Sequence, residues 1–322
     1  MSFNNSYLFE NFDWSEFVYP KNKKKLVQLV PGKRIDSSFG AINCDQILGH
    51  PEGVVVTTCK NHEVIAFRAT LDSYTSLAKR KTAIIFPQVC AFIIAVADIR
   101  PGLNVLEAGV GSGALTIWLL NALAGFGTLY SFEERREFLA LAKRNVSDFL
   151  GFKSRGNPLS KTSTQSDPTC DPSCNNIPDN WICVEGNLRE NIFLNLESGS
   201  IDRVVLDMLK PWECVESVTV ALRPGGIFVC YATGLIQVSR LVETLRNTGF
   251  YTEPIVYETL QRKWHIEGLS IRPNHSGMKP GGFLIMVRRL FKKNSLRIRQ
   301  KPIHKHKFDK DDIPAWLPEQ IG

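Results

Sequence analysis

The stretch from Asn104 to Leu115, Asn-Val-Leu-Glu-Ala-Gly-Val-Gly-Ser-Gly-Ala-Leu, limits what this chain can fold into more than any other. An apolar run ends at Glu107-Ala108, glycines follow at alternate positions (Gly109, Gly111, Gly113), and an apolar helical pattern begins after the last of them. The order is strand, turn and helix, with the helix starting at about Gly113. Glycine accepts positive φ and lets a ligand approach the backbone, and a turn entering a helix leaves free N–H groups there. Such a turn fits a nucleotide-type cofactor, although similar turns also join strands to helices without binding anything. Two carboxylates weigh toward binding. Glu107 lies two residues before Gly109, and the next strand pattern, 128–132, runs into Glu133. Doubly wound folds hold ribose hydroxyls with a carboxylate at the end of the second strand, about 20 residues past the turn. The glycine spacing here departs from the dinucleotide fingerprint.

Around this stretch the pattern alternates. Periodicity predicts helices over 88–98, 134–150, 215–222 and 237–247, and strands over 181–185, 201–206 and 227–231. Two longer strands, 251–260 and 282–289, end the pattern. The expected fold class is α/β: a mostly parallel sheet with helices on both faces. Ahead of it, 25–70 carries short β-branched runs with no helix between them, which predicts a small all-β domain. Residues 1–24 read as an aromatic and polar extension, 71–81 as a connector opening a 71–290 domain, and 291–322 as a basic tail. The segment 153–177, rich in Ser, Thr, Asn, Asp, Pro and Gly, reads as a flexible insertion.

The formal net charge is +7, and it is unevenly spread. Ten Lys or Arg stand against one Asp between Arg288 and Lys310, and Lys21, Lys23, Lys24 and Lys25 form a second cluster. Such clusters suit a polyanion partner, or else a solvated basic tail. The eight cysteines form no Cys-x-x-Cys pair and no His-containing zinc spacing, so no metal site is expected. Six of them fall in segments read as regular or buried, which suits reduced thiols. No signal peptide and no apolar stretch of membrane-spanning length is visible, so the expectation is a cytoplasmic protein without a membrane partner.

After the strand 201–206 comes Asp207-Met208-Leu209-Lys210-Pro211-Trp212. Ligands of open α/β sheets bind at the carboxyl ends of the strands, which places Asp207 at the same crevice as the glycine turn. The alternative is that Asp207 caps a helix or turn, against which the Pro-Trp after it weighs. Pro211 would fix the turn and Trp212 would offer a flat wall to a base.

Taken together, Glu-x-Gly-x-Gly-x-Gly followed by Glu133 resembles the S-adenosylmethionine site of class I methyltransferases. Asp-Met-Leu-x-Pro-Trp-Glu from Asp207, Glu-Thr-Leu-Gln-Arg-x-Trp from Glu258 and Ile-Arg-Pro from Ile271 narrow the likeness. With these, the chain from about Leu29 to Leu290 resembles the bacterial and archaeal tRNA adenine-58 N1 methyltransferases. The resemblance implies a class I methyltransferase domain whose sheet has an antiparallel closing strand, a small β N-terminal domain and a homotetramer. It implies S-adenosylmethionine as cofactor, held by Glu107, Gly109, Gly111, Ser112, Gly113, Ala114, Leu115, Glu133, Asn187, Leu188 and Asp207. It also implies tRNA as substrate, Asp207 as the catalytic residue, and Phe86, Pro211 and Trp212 around the target base.

Departures from that family fall near the substrate and, at Asn187 and Phe138, at the cofactor. Relatives carry Gln at Ala83, Tyr at Phe86, Asp at Val89 and Asp at Asn187, a His or Arg at Phe138, and Gly-His-Thr where this chain has Lys279 to Gly282. The expected activity is S-adenosylmethionine-dependent methylation of N1 of adenine 58 in the tRNA T-loop. The alternatives are a catalytically weakened tRNA-binding subunit, or a methyltransferase acting on another RNA position or a small molecule.

Overall fold

The computed structural model describes residues 7–81, 83–150, 177–273 and 279–293. It divides into two compact units, Met1–Arg80 with Asp148–Gly151, and Lys81–Ser147 with Phe152–Gly322. The 153–176 part of the expected insertion, with Cys170 and Cys174, lies outside the described residues, as does the chain from 294 onward.

In the first unit, β1 (Trp14–Tyr19), β2 (Lys23–Gln28), β5 (Val54–Thr57) and β6 (Glu63–Arg68) form an antiparallel sheet in the order β2-β1-β6-β5. A small pair, β3 (Arg34–Ile35) and β4 (Ile42–Asn43), lies between β2 and β5 in the chain. Phe17, Leu29, Ile42, Ile47, Val64 and Ala66 are buried at its core. The expected extension 1–24 is corrected here, because β1 is an inner strand of this sheet. Its alternation was hidden by two buried polar residues. Ser15 donates to Phe67 O (2.8 Å), and Glu16 pairs with Lys24 (2.6 Å). The expected connector after residue 70 also contains a helix, α1 (Leu71–Leu77), closed at its start by reciprocal Thr70 and Ser73 hydrogen bonds.

The second unit holds a seven-stranded sheet in the order β12-β15-β11-β10-β7-β8-β9. Its parallel strands are β7 (Leu103–Ala108), β8 (Gly127–Glu133), β9 (Trp181–Glu185), β10 (Ile201–Asp207) and β11 (Leu222–Ala232). The helices are α2 (Pro87–Val96), α3 (Ala114–Leu123), α4 (Arg136–Leu150), α5 (Leu188–Asn195), α6 (Val215–Ala221) and α7 (Leu235–Thr248). β15 (Lys279–Arg288) runs antiparallel to both β11 and β12 (Ile255–Gln261), which closes the sheet in the expected sense. Val204, Val205, Leu206, Phe228, Val229 and Cys230 are fully buried, as continuous apolar runs must be in a sheet covered on both faces.

Three features differ from the sequence reading. α5 has eight residues and no clear apolar stripe, so periodicity misses it. A hairpin, β13 (Trp264–Glu267) and β14 (Ser270–Pro273), turns at Gly268 (φ +55°) and lies between the two expected closing strands. Cys59 is exposed in a turn rather than packed in regular structure.

Candidate active site

The sheet order sets the position of the site. β8 follows β7 on one side and β10 adjoins β7 on the other, so the chain direction splits beside the carboxyl end of β7. Open α/β sheets bind ligands at such a switch point. There the structure forms a cavity of ≈ 290 Å³. Its lining includes Gly109, Gly111, Ser112, Ala114, Leu115, Glu133 and Asp207, the expected residues from three strand ends and the start of α3. Gly111 takes φ +57°, a conformation that favours glycine.

Charge decides what this cavity can hold. Glu133, buried at the end of β8, accepts the Gly111 N–H (3.0 Å) through one oxygen. Its other oxygen accepts the N–H (3.2 Å) and Nε (3.1 Å) of Arg135. Asp207, at the end of β10, accepts the Gly109 N–H (3.0 Å) through its main-chain carbonyl. Burial, and then the nearby Glu133 charge, push the Asp207 carboxyl up to about 6. With two carboxylates against one guanidinium, itself paired to Glu133, the lining repels phosphate and suits a cationic group with hydroxyls. The sulfonium, ammonium and ribose of S-adenosylmethionine fit that requirement. Among the described residues no group of three or more His, Cys, Asp or Glu side chains could hold a metal ion.

Several of the expected residues lie outside the lining of this cavity. Glu107 is fully buried behind the turn, where it accepts hydrogen bonds from Thr116 Oγ1 (2.9 and 3.0 Å) and Ser131 Oγ (2.6 Å). Trp181 Nε1 completes this network by donating to Ser131 Oγ (2.9 Å), and burial pushes the Glu107 carboxyl up to about 8. Glu107 therefore braces β7 against β8 and α3 and does not line the cavity. Gly113 also turns away from it. Its φ is +81°, and a Cβ there would stand 3.1 Å from Cα and Cβ of Ala142 on α4.

Asn187 caps α5, accepting the Arg189 N–H (2.8 Å) and donating to Glu134 (2.5 Å), and Leu188 is buried in the core. Neither lines the cavity. Phe86 precedes α2 outside the lining, to which its segment contributes Ala83, Ile84 and Ile85 instead. Pro211 is buried, and Trp212 packs on the core under the Arg240 guanidinium (4.1 Å); neither lines the cavity.

Other functional residues emerge only in three dimensions. Tyr231, opposite Asp207 in the β10–β11 register, lines the cavity. Burial and the Asp207 charge push its hydroxyl above the usual tyrosine range. A strand-terminal Tyr, in register with the last residue of the neighbouring strand, is the signal that could have found it. Gly282 (φ +75°) makes room for that ring, since a Cβ there would lie 2.5 Å from Tyr231 Cε2. Two of the expected departures are also one contact: buried Val89 packs on Gly281, where a Cβ would meet Val89 Cγ2 at 2.9 Å. Phe138 carries the Arg135 guanidinium 3.8 Å above its ring, and Asn145 donates to Ser112 O (2.8 Å), tying the turn to α4. Met208, Leu209, Thr233 and Gln237 complete the far wall.

Comparison with known proteins agrees with this geometry. The family model described as "tRNA methyltransferase complex GCD14 subunit" matches residues 64–153 and 175–279, and a TrmI-like N-terminal model matches 9–56. The chain is 31% identical over 238 residues to the tRNA (adenine(57)-N(1)/adenine(58)-N(1))-methyltransferase TrmI of Methanocaldococcus jannaschii, covering 74% of this chain and 82% of that protein. It is 29% identical over 250 residues to the tRNA (adenine(58)-N(1))-methyltransferase TrmI of Thermus thermophilus, covering 78% of this chain and 86% of that one. Among solved structures, the tRNA (m1A58) methyltransferase TrmI of Aquifex aeolicus superposes with a TM-score of 0.71 at 23% identity, over 88% of this chain and all of that one. A SAM-dependent O-methyltransferase of Thermotoga maritima superposes at 0.77 with 20% identity, over 91% of this chain and 98% of that one. Both show a class I methyltransferase fold. With more than half of its residues matched by the family model, the chain belongs to the tRNA methyltransferase complex GCD14 subunit family.

Proposed function

We propose that this protein methylates N1 of adenine 58 in the tRNA T-loop, with S-adenosylmethionine as the methyl donor. The observation that carries the reading is Asp207, whose carboxylate ends β10 on the wall of the cavity that the glycine turn borders. When bound, S-adenosylmethionine supplies an electrophilic methyl carbon on a cationic sulfur. The N1 lone pair of adenine forms the new C–N bond as the C–S bond breaks, which leaves a neutral thioether and a cationic base. Asp207 accepts a hydrogen bond from the N6 amine, pushes electron density toward N1 and stabilises the positive charge that builds there. Glu133, which borders the cavity beside the Gly111 N–H it accepts, would hold the ribose hydroxyls.

The Thermus thermophilus relative is named for adenine 58 and the Methanocaldococcus jannaschii one for adenines 57 and 58, and the basic clusters of this chain suit an RNA substrate. A homotetramer in the cytoplasm completes the reading. The exposed apolar residues Trp264, Ile266 and Ile271 on the β13–β14 hairpin offer a surface for self-association. Incubating the full chain with an unmodified tRNA transcript and S-adenosylmethionine, then mapping the product, tests the activity. The expected product is 1-methyladenosine at position 58. Methylation at another position, or none, would sink the proposal.

A further inference from the structure

Gln237, in the first turn of α7, joins two loops that meet at the cavity. Its Oε1 accepts the Thr233 N–H (3.2 Å), and its Nε2 donates to Met208 O (3.2 Å) and Leu209 O (2.9 Å). Met208 and Leu209 directly follow Asp207, and Thr233 lies two residues beyond Tyr231. On its other side Asp207 is held through its carbonyl by the Gly109 N–H (3.0 Å). The carboxylate is thus carried on backbone fixed at both ends, by the glycine turn and by one glutamine.

The amide is suited to this place because it donates and accepts at once. An ionised glutamate of the same shape would set a negative oxygen against two carbonyl oxygens. The titratable groups that line the cavity with it are Asp207, Tyr231, Glu133 and Arg135; Lys210, which pairs with Glu213 (3.3 Å), follows Leu209 in the chain, and Arg240 comes three residues later on α7.

We infer that Gln237 is a positioning residue, which clamps Met208-Leu209 to Thr233 and thereby fixes Asp207 opposite the reacting base. The inference rests on the methyltransferase reading above. Its test compares the full chain with Gln237→Ala and Gln237→Glu on an unmodified tRNA transcript, from about pH 6 to about pH 9. Gln237→Ala is expected to lower kcat by about tenfold or more, while KM for S-adenosylmethionine stays within about threefold. Gln237→Glu, ionised throughout that range, sets a negative oxygen against the two carbonyls and should lower kcat at least as much as Gln237→Ala.

Hydrogen exchange supplies a readout that needs no turnover. The 207–213 backbone should exchange faster in Gln237→Ala, with 103–108 unchanged. A wild-type kcat in Gln237→Ala or in Gln237→Glu, or unchanged exchange at 207–213, would each overturn the inference. If the wild-type chain leaves tRNA unmethylated, the methyltransferase reading falls by itself, and the exchange result alone decides whether the clamp operates.

Discussion

Asp207 works in a place that resists its own ionisation. Burial comes first and the Glu133 charge second, and together they hold its carboxyl near pH 6. The sign follows directly. Above about 6 the group is a carboxylate and can pull on an amine; below it, the proton removes the charge that the reaction needs. Methyl transfer at saturating cofactor should therefore fall as pH drops through about 6, with the slope of a single proton. Glu133→Gln removes the second cause, and its acid limb should move to lower pH when rates are measured at saturating S-adenosylmethionine. An unmoved limb would show that Asp207 does not set it. Asp207→Ala should abolish methyl transfer and leave cofactor affinity, measured by calorimetry, within about tenfold.

At the scale of elements, the β7–turn–α3 unit divides its glycines between two tasks. Gly111 lies on the cavity, whereas Gly113 lets α4 approach the turn. Gly113→Ala combines a left-handed backbone with a Cβ pressed on the Ala142 backbone, and should cost about 2 kcal/mol in urea unfolding. A ligand glycine would instead lose affinity at unchanged stability, which separates the two roles.

That division marks the limit of what the sequence conveyed. Glycine spacing, Glu133 and Asp207 located the turn and both carboxylates, because each sits at the end of an apolar run that periodicity can place. Nothing in the spacing says which neighbour approaches Gly113, since Ala142 belongs to the next helix but one strand. The same limit applies to Glu107: its partners Ser131 and Thr116, and the Trp181 that donates to Ser131, come from three separate elements. Asn187 carried a local signal as a helix cap, but α5 was too short for its periodicity to reveal what was being capped.

For the whole molecule, charge is the property that selects the partner. The net +7 is concentrated, and Lys23, Lys24 and Lys25 stand exposed on the edge strand β2. Some of that charge is already engaged, Lys24 by Glu16 and Lys25 by the Asp36 carbonyl (2.7 Å). Affinity for tRNA should still fall steeply with salt, with a log–log slope of about −3 or steeper, as about four neutralised phosphates would give. Filter binding across a salt series measures it, and a nearly flat plot would argue against RNA as the partner. One hydrogen bond described above reaches further than its size. The Gly109 N–H that meets the Asp207 carbonyl joins the wall proposed for the methyl donor to the residue proposed to face the acceptor. Two ligands that read the same bond are thermodynamically linked, and linkage is symmetric. Whatever factor the donor adds to the hold on tRNA, tRNA must return to the donor, whichever of them arrives first.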